Sequence, residues 1–201
     1  MQATAKLINA PRRTAAYDVP RAWKTLIAAS SPVELIKNKF LKEARAEVIQ
    51  EMKKAGRVVP KFSADGKIAV IRINSKAQIH ALIAARQARL LFSRQLQVVM
   101  VANEGYARGF VNYSCRVPTC ARGRDPPVNI PEILVQAAEE AEDDSLRERL
   151  GTRFGGGHKN ASGGMIPQAA FEEFLEAIGV SGDEEPSPSP SPKKSPKGSA
   201  N

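Results

Sequence analysis

The stretch that most constrains this chain is the glycine-rich segment at 153–164, which reads RFGGGHKNASGG. Three successive glycines can adopt positive φ and expose their backbone N–H groups, and the imidazole, ammonium and amide groups that follow suit an anion. The local chemistry predicts a phosphate cradle, with a plain glycine-rich connector between a helix and a strand as the alternative. The candidate phosphate-binding residues here are Gly155, Gly156, Gly157, His158 and Asn160.

The string GGGHKNASGG resembles the GGGHxxAxG signature of the DHH-associated domain. That domain is the substrate-binding half of the DHH phosphoesterases, which include RecJ-like exonucleases and NrnA-like nanoRNases that degrade very short RNAs. Ser162 stands where the family usually has a second alanine, and its small size keeps the loop geometry plausible. The resemblance covers roughly residues 67–178 and implies that this part of the chain holds a substrate.

A second site signal is the period-two pattern of residues 106–117, which is typical of a strand. The odd positions 107–117 are mostly apolar and predict a core face, whereas Phe110, Asn112, Ser114 and Arg116 share the other face. The guanidinium of Arg116 suits phosphate, Ser114 and Asn112 can donate to phosphate or sugar, and Phe110 or Tyr106 can stack on a base. A plain solvent-exposed sheet face is the alternative. The segment YSCR resembles the S-x-R motif of the same family, in which the arginine reaches the substrate phosphate.

The order of elements predicts an α/β fold, in which a small mixed β-sheet is covered by helices. A capped and periodic segment predicts one helix over 31–56, with further helices at 76–91, 129–150 and 168–178. Strands are expected at 67–73, 97–101 and 106–117, with an edge strand at 164–166. The expected domains are an N-terminal arm (1–30), a linker helix (31–60), a DHH-associated domain (61–180) and a disordered Ser-Pro and lysine-rich tail (181–201). Residues 1–17 of the arm are expected to be disordered.

Charge supports a polyanionic partner, because residues 61–130 carry 11 basic and 3 acidic residues. A solvated basic surface is the alternative. The chain contains no run of the roughly 20 apolar residues that a membrane helix needs, so a soluble protein with no membrane partner is expected. The cytoplasm is the expected compartment, with the nucleus and the mitochondrion as alternatives.

Several reactive residue types are not expected to act in catalysis or metal binding. His80 is expected to be a structural or surface residue of its helix. Cys115 and Cys120 are expected to be free thiols, and the acidic run at 139–144 a solvated helix face.

The family resemblance also says what this sequence lacks. DHH phosphoesterases are named for an Asp-His-His motif in a separate domain that binds two metal ions, usually manganese. This sequence has 2 histidines, which are not adjacent, so no catalytic residue, metal site or cofactor is predicted within it. Family activity would be phosphodiester hydrolysis, but the chain is not expected to catalyse it alone.

The predicted function is therefore binding of short single-stranded RNA or DNA, or of a nucleotide phosphate, with Arg116 as clamp and Ser114 assisting. One alternative is the C-terminal part of a manganese-dependent phosphoesterase, whose catalytic DHH domain is missing or acts in trans. A scaffold that has lost ligand binding is another alternative. A third is tRNA binding, because the editing region of alanyl-tRNA synthetase carries a domain of this type.

Overall fold

The computed structural model describes residues 2–180 as helices around a six-stranded mixed sheet. The helices are α1 (Gln2–Ile8), α2 (Val19–Ala28), α3 (Pro32–Lys37), α4 (Lys39–Ala55), α5 (His80–Leu90), α6 (Ile130–Glu139), α7 (Leu146–Arg149) and α8 (Gln168–Ala177). The strands are β1 (Lys61–Phe62), β2 (Ile68–Ile73), β3 (Val98–Ala107), β4 (Phe110–Arg116), β5 (Gly157–His158) and β6 (Ala161–Pro167). Short 3₁₀ helices lie at Pro11–Arg13 and Thr119–Ala121. None of the helices in this range is long and apolar enough to cross a membrane.

The strands lie in the order β1-β2-β3-β4-β6-β5. β2 and β3 run parallel, with α5 between them in the chain, and the other neighbouring strands are antiparallel. The predicted α/β class with a mixed sheet covered by helices is confirmed. The predicted tail at 181–201 lies outside the described residues.

The central strands are buried on both faces, which explains why the sequence IAVIRI of β2 is apolar at every position except Arg72. On one face, Met100 and Tyr113 belong to a core that includes Phe174 of α8 and Leu134 of α6. On the other face, Val101 belongs to a second core, with residues of α4 and α5. Helices therefore cover both faces of the sheet.

The N-terminal residues were expected to form a disordered arm, and this expectation is wrong. They form α1, the first 3₁₀ helix and α2, and they pack against the rest of the chain. The amide of Ala15 donates to Glu47 Oε1 at 2.9 Å, and the carbonyl of Arg13 accepts from the amide of Gln78 at 3.0 Å. Pro11 begins the 3₁₀ helix, because proline is well tolerated in a first helical turn.

The single helix predicted over 31–56 is divided at Asn38 into α3 and α4. Asn38 has an extended backbone, and its side-chain oxygen accepts from the amide of Leu41 at 3.1 Å. Asparagine side chains compete with helical hydrogen bonds and favour the N-cap position. Apolar periodicity continues across the break and therefore could not reveal it.

Two other predicted elements also differ from the structure. The helix predicted over 129–150 is divided into α6 and α7. The strand expected at the sheet edge is β6, which is longer than expected and pairs with β4 on one side and with β5 on the other. The two-residue β5 was not predicted, because its sequence is part of the glycine-rich loop.

Candidate functional site

An open groove of about 500 Å³ lies over β4 and β6. Its walls come from the start of α5, from β4, from the glycine loop and from β6. The lining residues are His80, Asn112, Tyr113, Ser114, Arg116, Gly156, Gly157, Ala161, Ser162, Gly163 and Gly164. We call it the β4–β6 groove.

Strand register puts Arg116 and His158 on the same face of the sheet. Arg116 lies opposite Ala161 across β4 and β6, and Ala161 lies opposite His158 across β6 and β5. Residues that are directly opposite each other project to one face. At the usual spacing between strands of about 4.8 Å, the backbones of Arg116 and His158 are about 10 Å apart. Only the methyl group of Ala161 stands between them, so both side chains can reach one ligand.

Arg116 has the donors that a phosphate needs. Its Nη1 donates to the hydroxyl of Ser114 at 3.0 Å and to the carbonyl of Cys115 at 2.7 Å. No carboxylate within residues 2–180 forms a salt bridge with it. A guanidinium has five N–H donors, so most of them remain available, and its charge is not neutralised by a neighbour.

His80 lies in the groove wall at the first position of α5, although it was predicted to be a structural or surface residue. Burial, followed by the positive charges of Arg13 and Arg116, lowers the pKa of His80 to about 4. The imidazole is therefore neutral near pH 7. Arg13 comes from the N-terminal segment, which adds positive charge at this end of the groove.

Two buried polar atoms of the groove wall, Nδ1 of His80 and Nδ2 of Asn112, have no hydrogen-bond partner in the described part of the chain. Buried polar atoms in folded proteins normally have a partner, and exceptions concentrate at functional positions. Asn112 belongs to the alternating polar face of β4, whereas His80 belongs to no sequence motif, and the packing of α5 against β3 and β4 brings the two side chains to one groove. The groove wall therefore has two polar atoms whose hydrogen-bonding capacity is not used within the described residues.

The glycine loop differs from the predicted cradle, because two of its three amides are engaged within the protein. The amide of Gly155 donates to the hydroxyl of Tyr113 at 3.0 Å, and that of Gly156 donates to the carbonyl of Arg153 at 2.9 Å. Ser162 Oγ also donates to the carbonyl of Gly156 at 2.6 Å. These amides shape the loop and are not free to bind an anion in this conformation.

Glycine is nevertheless required at position 157. Its φ is +127°, and a Cβ atom there would lie 2.6 Å from the carbonyl oxygen of Ala161. Any side chain would push β5 away from β6 and displace His158. The glycines therefore act mainly by allowing a tight loop that places His158 beside the groove.

The predicted site residues fall into two groups. Gly156, Gly157, Ser114 and Arg116 line the groove. Gly155 is buried beneath the loop, and the exposed side chains of His158 and Asn160 lie beside the groove. Among residues 2–180, no group of three His, Cys, Asp or Glu side chains is arranged to hold a metal ion.

Tyr113→Phe is expected to lower the free energy of unfolding by about 1–2 kcal/mol, because the buried amide of Gly155 loses its acceptor. Burial raises the pKa of Tyr113 to about 12, so its hydroxyl group stays protonated at neutral pH. Urea unfolding followed by circular dichroism measures the loss. Tyr106→Phe is the matched control, since the hydroxyl of Tyr106 accepts from Gln78 at an exposed position. An equal loss in the two variants would contradict a special role for the buried hydrogen bond.

Comparison of the chain with protein-family models and with curated proteins gives no match. Among solved structures, the chain is similar to PggH from Vibrio cholerae, described as a pGpG-specific phosphodiesterase, with a TM-score of 0.44 and 15% sequence identity. The similarity covers 88% of this chain and 55% of PggH, so this chain spans about half the length of that protein. At this TM-score the likeness leaves the family and the activity of the chain open.

Proposed function

We propose that this chain binds short single-stranded nucleic acid, or a nucleotide, through a phosphate group held in the β4–β6 groove. The observation that carries the proposal is Arg116, a partly buried guanidinium that has no carboxylate partner among residues 2–180 and lies beside a floor of small residues. Arginine is well suited to phosphate because its planar fork can donate two parallel hydrogen bonds. This is the role that the resemblance to the DHH-associated domain also implies.

The neighbouring residues have distinct roles in the proposal. Ser114 orients Arg116 through the hydrogen bond between their side chains. His158 contacts the ligand from the β5 side, and Asn160 lies at the rim, where it can donate to a sugar or phosphate. Gly155, Gly156 and Gly157 support the loop that carries His158. Alanine and glycine at positions 161 and 163 keep the floor low enough for a phosphate to approach the sheet.

The groove supports binding more directly than cleavage. Hydrolysis of a phosphodiester needs an activated water or another nucleophile, together with stabilisation of the charge that develops. In this proposal, Arg116 and His158 supply positive charge and hydrogen bonds. A catalytic DHH domain with its manganese ions, acting in trans, would supply the activated water.

Fluorescence anisotropy of a labelled penta-adenylate RNA, titrated with protein at two salt concentrations, tests the proposal. Arg116→Ala is expected to weaken binding about tenfold to a hundredfold, because a charge-assisted hydrogen bond contributes about 1.5–3 kcal/mol. His158→Ala is expected to weaken binding several-fold. Arg116→Ala should also reduce the salt dependence by about one phosphate contact.

Arg89→Ala is the matched control for the loss of one positive charge. Arg89 is exposed near the far end of α5 and should change affinity by less than about twofold. If Arg89→Ala weakens binding as much as Arg116→Ala does, the interaction is general attraction to a basic surface and the proposed site is wrong. Absence of binding by the unaltered protein would favour a scaffold that has lost its ligand.

A further inference from the structure

Two large apolar side chains are exposed on the groove face of the sheet, beyond the groove itself. Phe110 is 41% exposed and Met165 is 54% exposed. Phe110 alternates in phase with Asn112, Ser114 and Arg116 along β4, and Met165 lies directly opposite Asn112 on β6. Both side chains therefore project to the face that carries Arg116.

The register also makes these two residues neighbours. Phe110 pairs with Pro167 and Asn112 pairs with Met165, so Phe110 and Met165 are diagonal across β4 and β6. Diagonal partners are within reach when one side chain is aromatic and the other is long, and a thioether packs well against a ring. Isolated exposed apolar residues are common on proteins, but here two neighbouring apolar side chains lie on the same sheet face as Arg116.

We propose that Phe110 and Met165 form a base-stacking subsite at the opposite end of the groove face from Arg116. This inference rests on the proposed function and specifies how the ligand lies. A nucleic-acid strand runs along β4, with one phosphate at Arg116 and a base further along the strand on the ring of Phe110. Aromatic rings accept any base in this way, because every base has a π-face.

Phe110 fits this role better than Tyr106, the other aromatic residue near the hairpin. The hydroxyl of Tyr106 accepts from the side-chain amide of Gln78, which ties the ring to the segment before α5. The ring of Phe110 makes no contact with another ring or a cation within the described residues. The orientation of the Phe110 ring can therefore adjust to a base, whereas the hydroxyl of Tyr106 is held by Gln78.

The spacing sets the length of strand that can reach both ends. The guanidinium of Arg116 folds back to the hydroxyl of Ser114, and Ser114 and Phe110 are four positions apart along β4. That separation is about 13 Å at the usual rise of a strand. At about 3.4 Å per stacked nucleotide, it corresponds to about four nucleotides, and to fewer when the strand is extended. A mononucleotide can occupy only one end.

Asn112 lies between the two ends, which gives the middle of the path a polar contact. Its side chain lines the groove, and its Nδ2 atom is a buried donor without a partner. A sugar hydroxyl or a base edge passing between Arg116 and Phe110 supplies an acceptor there. Along β4 the side chains are, in order, the cation of Arg116, the hydroxyl of Ser114, the amide of Asn112 and the ring of Phe110. This order suits a nucleic-acid strand that is bound through a phosphate at one end and through a base at the other.

Calorimetric titration with unlabelled 5′-phosphorylated oligoadenylates of one to five nucleotides tests the inference, since a fluorescent label could itself stack on Phe110. Affinity of the unaltered protein is expected to rise up to the third or fourth nucleotide and then level off. Phe110→Ala should weaken tetra-adenylate binding about tenfold and leave AMP binding unchanged within twofold. Met165→Ala should weaken it by a smaller factor, and Phe110→Trp should tighten it.

Phe92→Ala is the matched control, because Phe92 is 81% exposed and lies outside the groove face. It should leave the affinity for every length unchanged. A tetra-adenylate with one abasic position, moved along the strand, should lose affinity at one position only, and that loss should disappear in Phe110→Ala.

The outcomes separate this inference from the proposed function. If AMP and tetra-adenylate bind equally well, and Phe110→Ala and Phe110→Trp behave like the unaltered protein, the stacking subsite is wrong while Arg116-dependent binding stands. If no oligonucleotide and no AMP binds, both the function and the subsite are wrong. A loss in Phe110→Ala that is equal for AMP and for tetra-adenylate also overturns the subsite, because it shows a general disturbance of the sheet.

Discussion

Asn103→Ala is expected to lower the free energy of unfolding by about 3–5 kcal/mol, because it leaves three backbone groups without partners in the interior. Asn103 is fully buried. Its Oδ1 accepts from the amides of Ser75 at 3.0 Å and Gly105 at 3.2 Å, and its Nδ2 donates to the carbonyl of Ala77 at 3.0 Å. The bonds to Ser75 and Ala77 join β3 to the segment that leads into α5, so they also help to fix the position of His80. Urea unfolding followed by circular dichroism measures the change.

Asn74→Ala is the matched control for Asn103→Ala. Asn74 is exposed, and its replacement should change stability by less than about 0.5 kcal/mol. Asn103→Ala should also make the His80 wall of the groove less well ordered, since the turn before α5 loses its anchor. A loss below about 1 kcal/mol would show that water or a small shift of the backbone satisfies the three groups.

The polar face of β4 was predictable from the sequence, because alternation in a strand depends only on local geometry. The predicted core positions Tyr113 and Cys115 are buried, while Asn112 and Arg116 are partly exposed on the other face. The presence of a tight loop at the glycines was predictable for the same reason, since glycine tolerates backbone angles that other residues avoid. Both inferences needed no knowledge of which strands are neighbours.

The rest of the site depends on long-range register, which a single sequence does not contain. The amide of Gly155 finds its acceptor on Tyr113, 42 positions earlier in the chain, so the predicted anion cradle could not be distinguished from an internally bonded loop. His158 is aligned with Arg116 across the sheet only because β6 lies between β4 and β5. His80 was missed because the sequence places it on a helix but does not say where that helix lies over the sheet. The parallel pairing of β2 and β3 determines that position.

Acidification is expected to destabilise the protein steeply through His80, whose pKa falls to about 4 on folding because of burial and the charges of Arg13 and Arg116. In the unfolded chain the pKa is near 6.5, so below that pH the unfolded state binds a proton that the folded state does not. Above about pH 6.5 the imidazole is neutral in both states, and the free energy of unfolding keeps its full value. As the pH falls from 6.5 towards 4, the unfolded state is favoured increasingly and the free energy of unfolding decreases. The expected loss is about 2 kcal/mol between pH 7 and pH 5, and about 3 kcal/mol by pH 4.

Urea unfolding at pH 7, 6 and 5 isolates this effect when the unaltered protein is compared with His80→Gln. Glutamine stays polar and cannot gain a charge, so the stability of the variant should change little over this range. His158→Gln removes the other of the 2 histidines, at an exposed position, and should retain the steep loss of the unaltered protein. If His80→Gln loses as much stability as the unaltered protein between pH 7 and pH 5, the proton is taken up elsewhere. Burial of a neutral His80 imidazole in the groove wall would then not be the cause of the acid sensitivity.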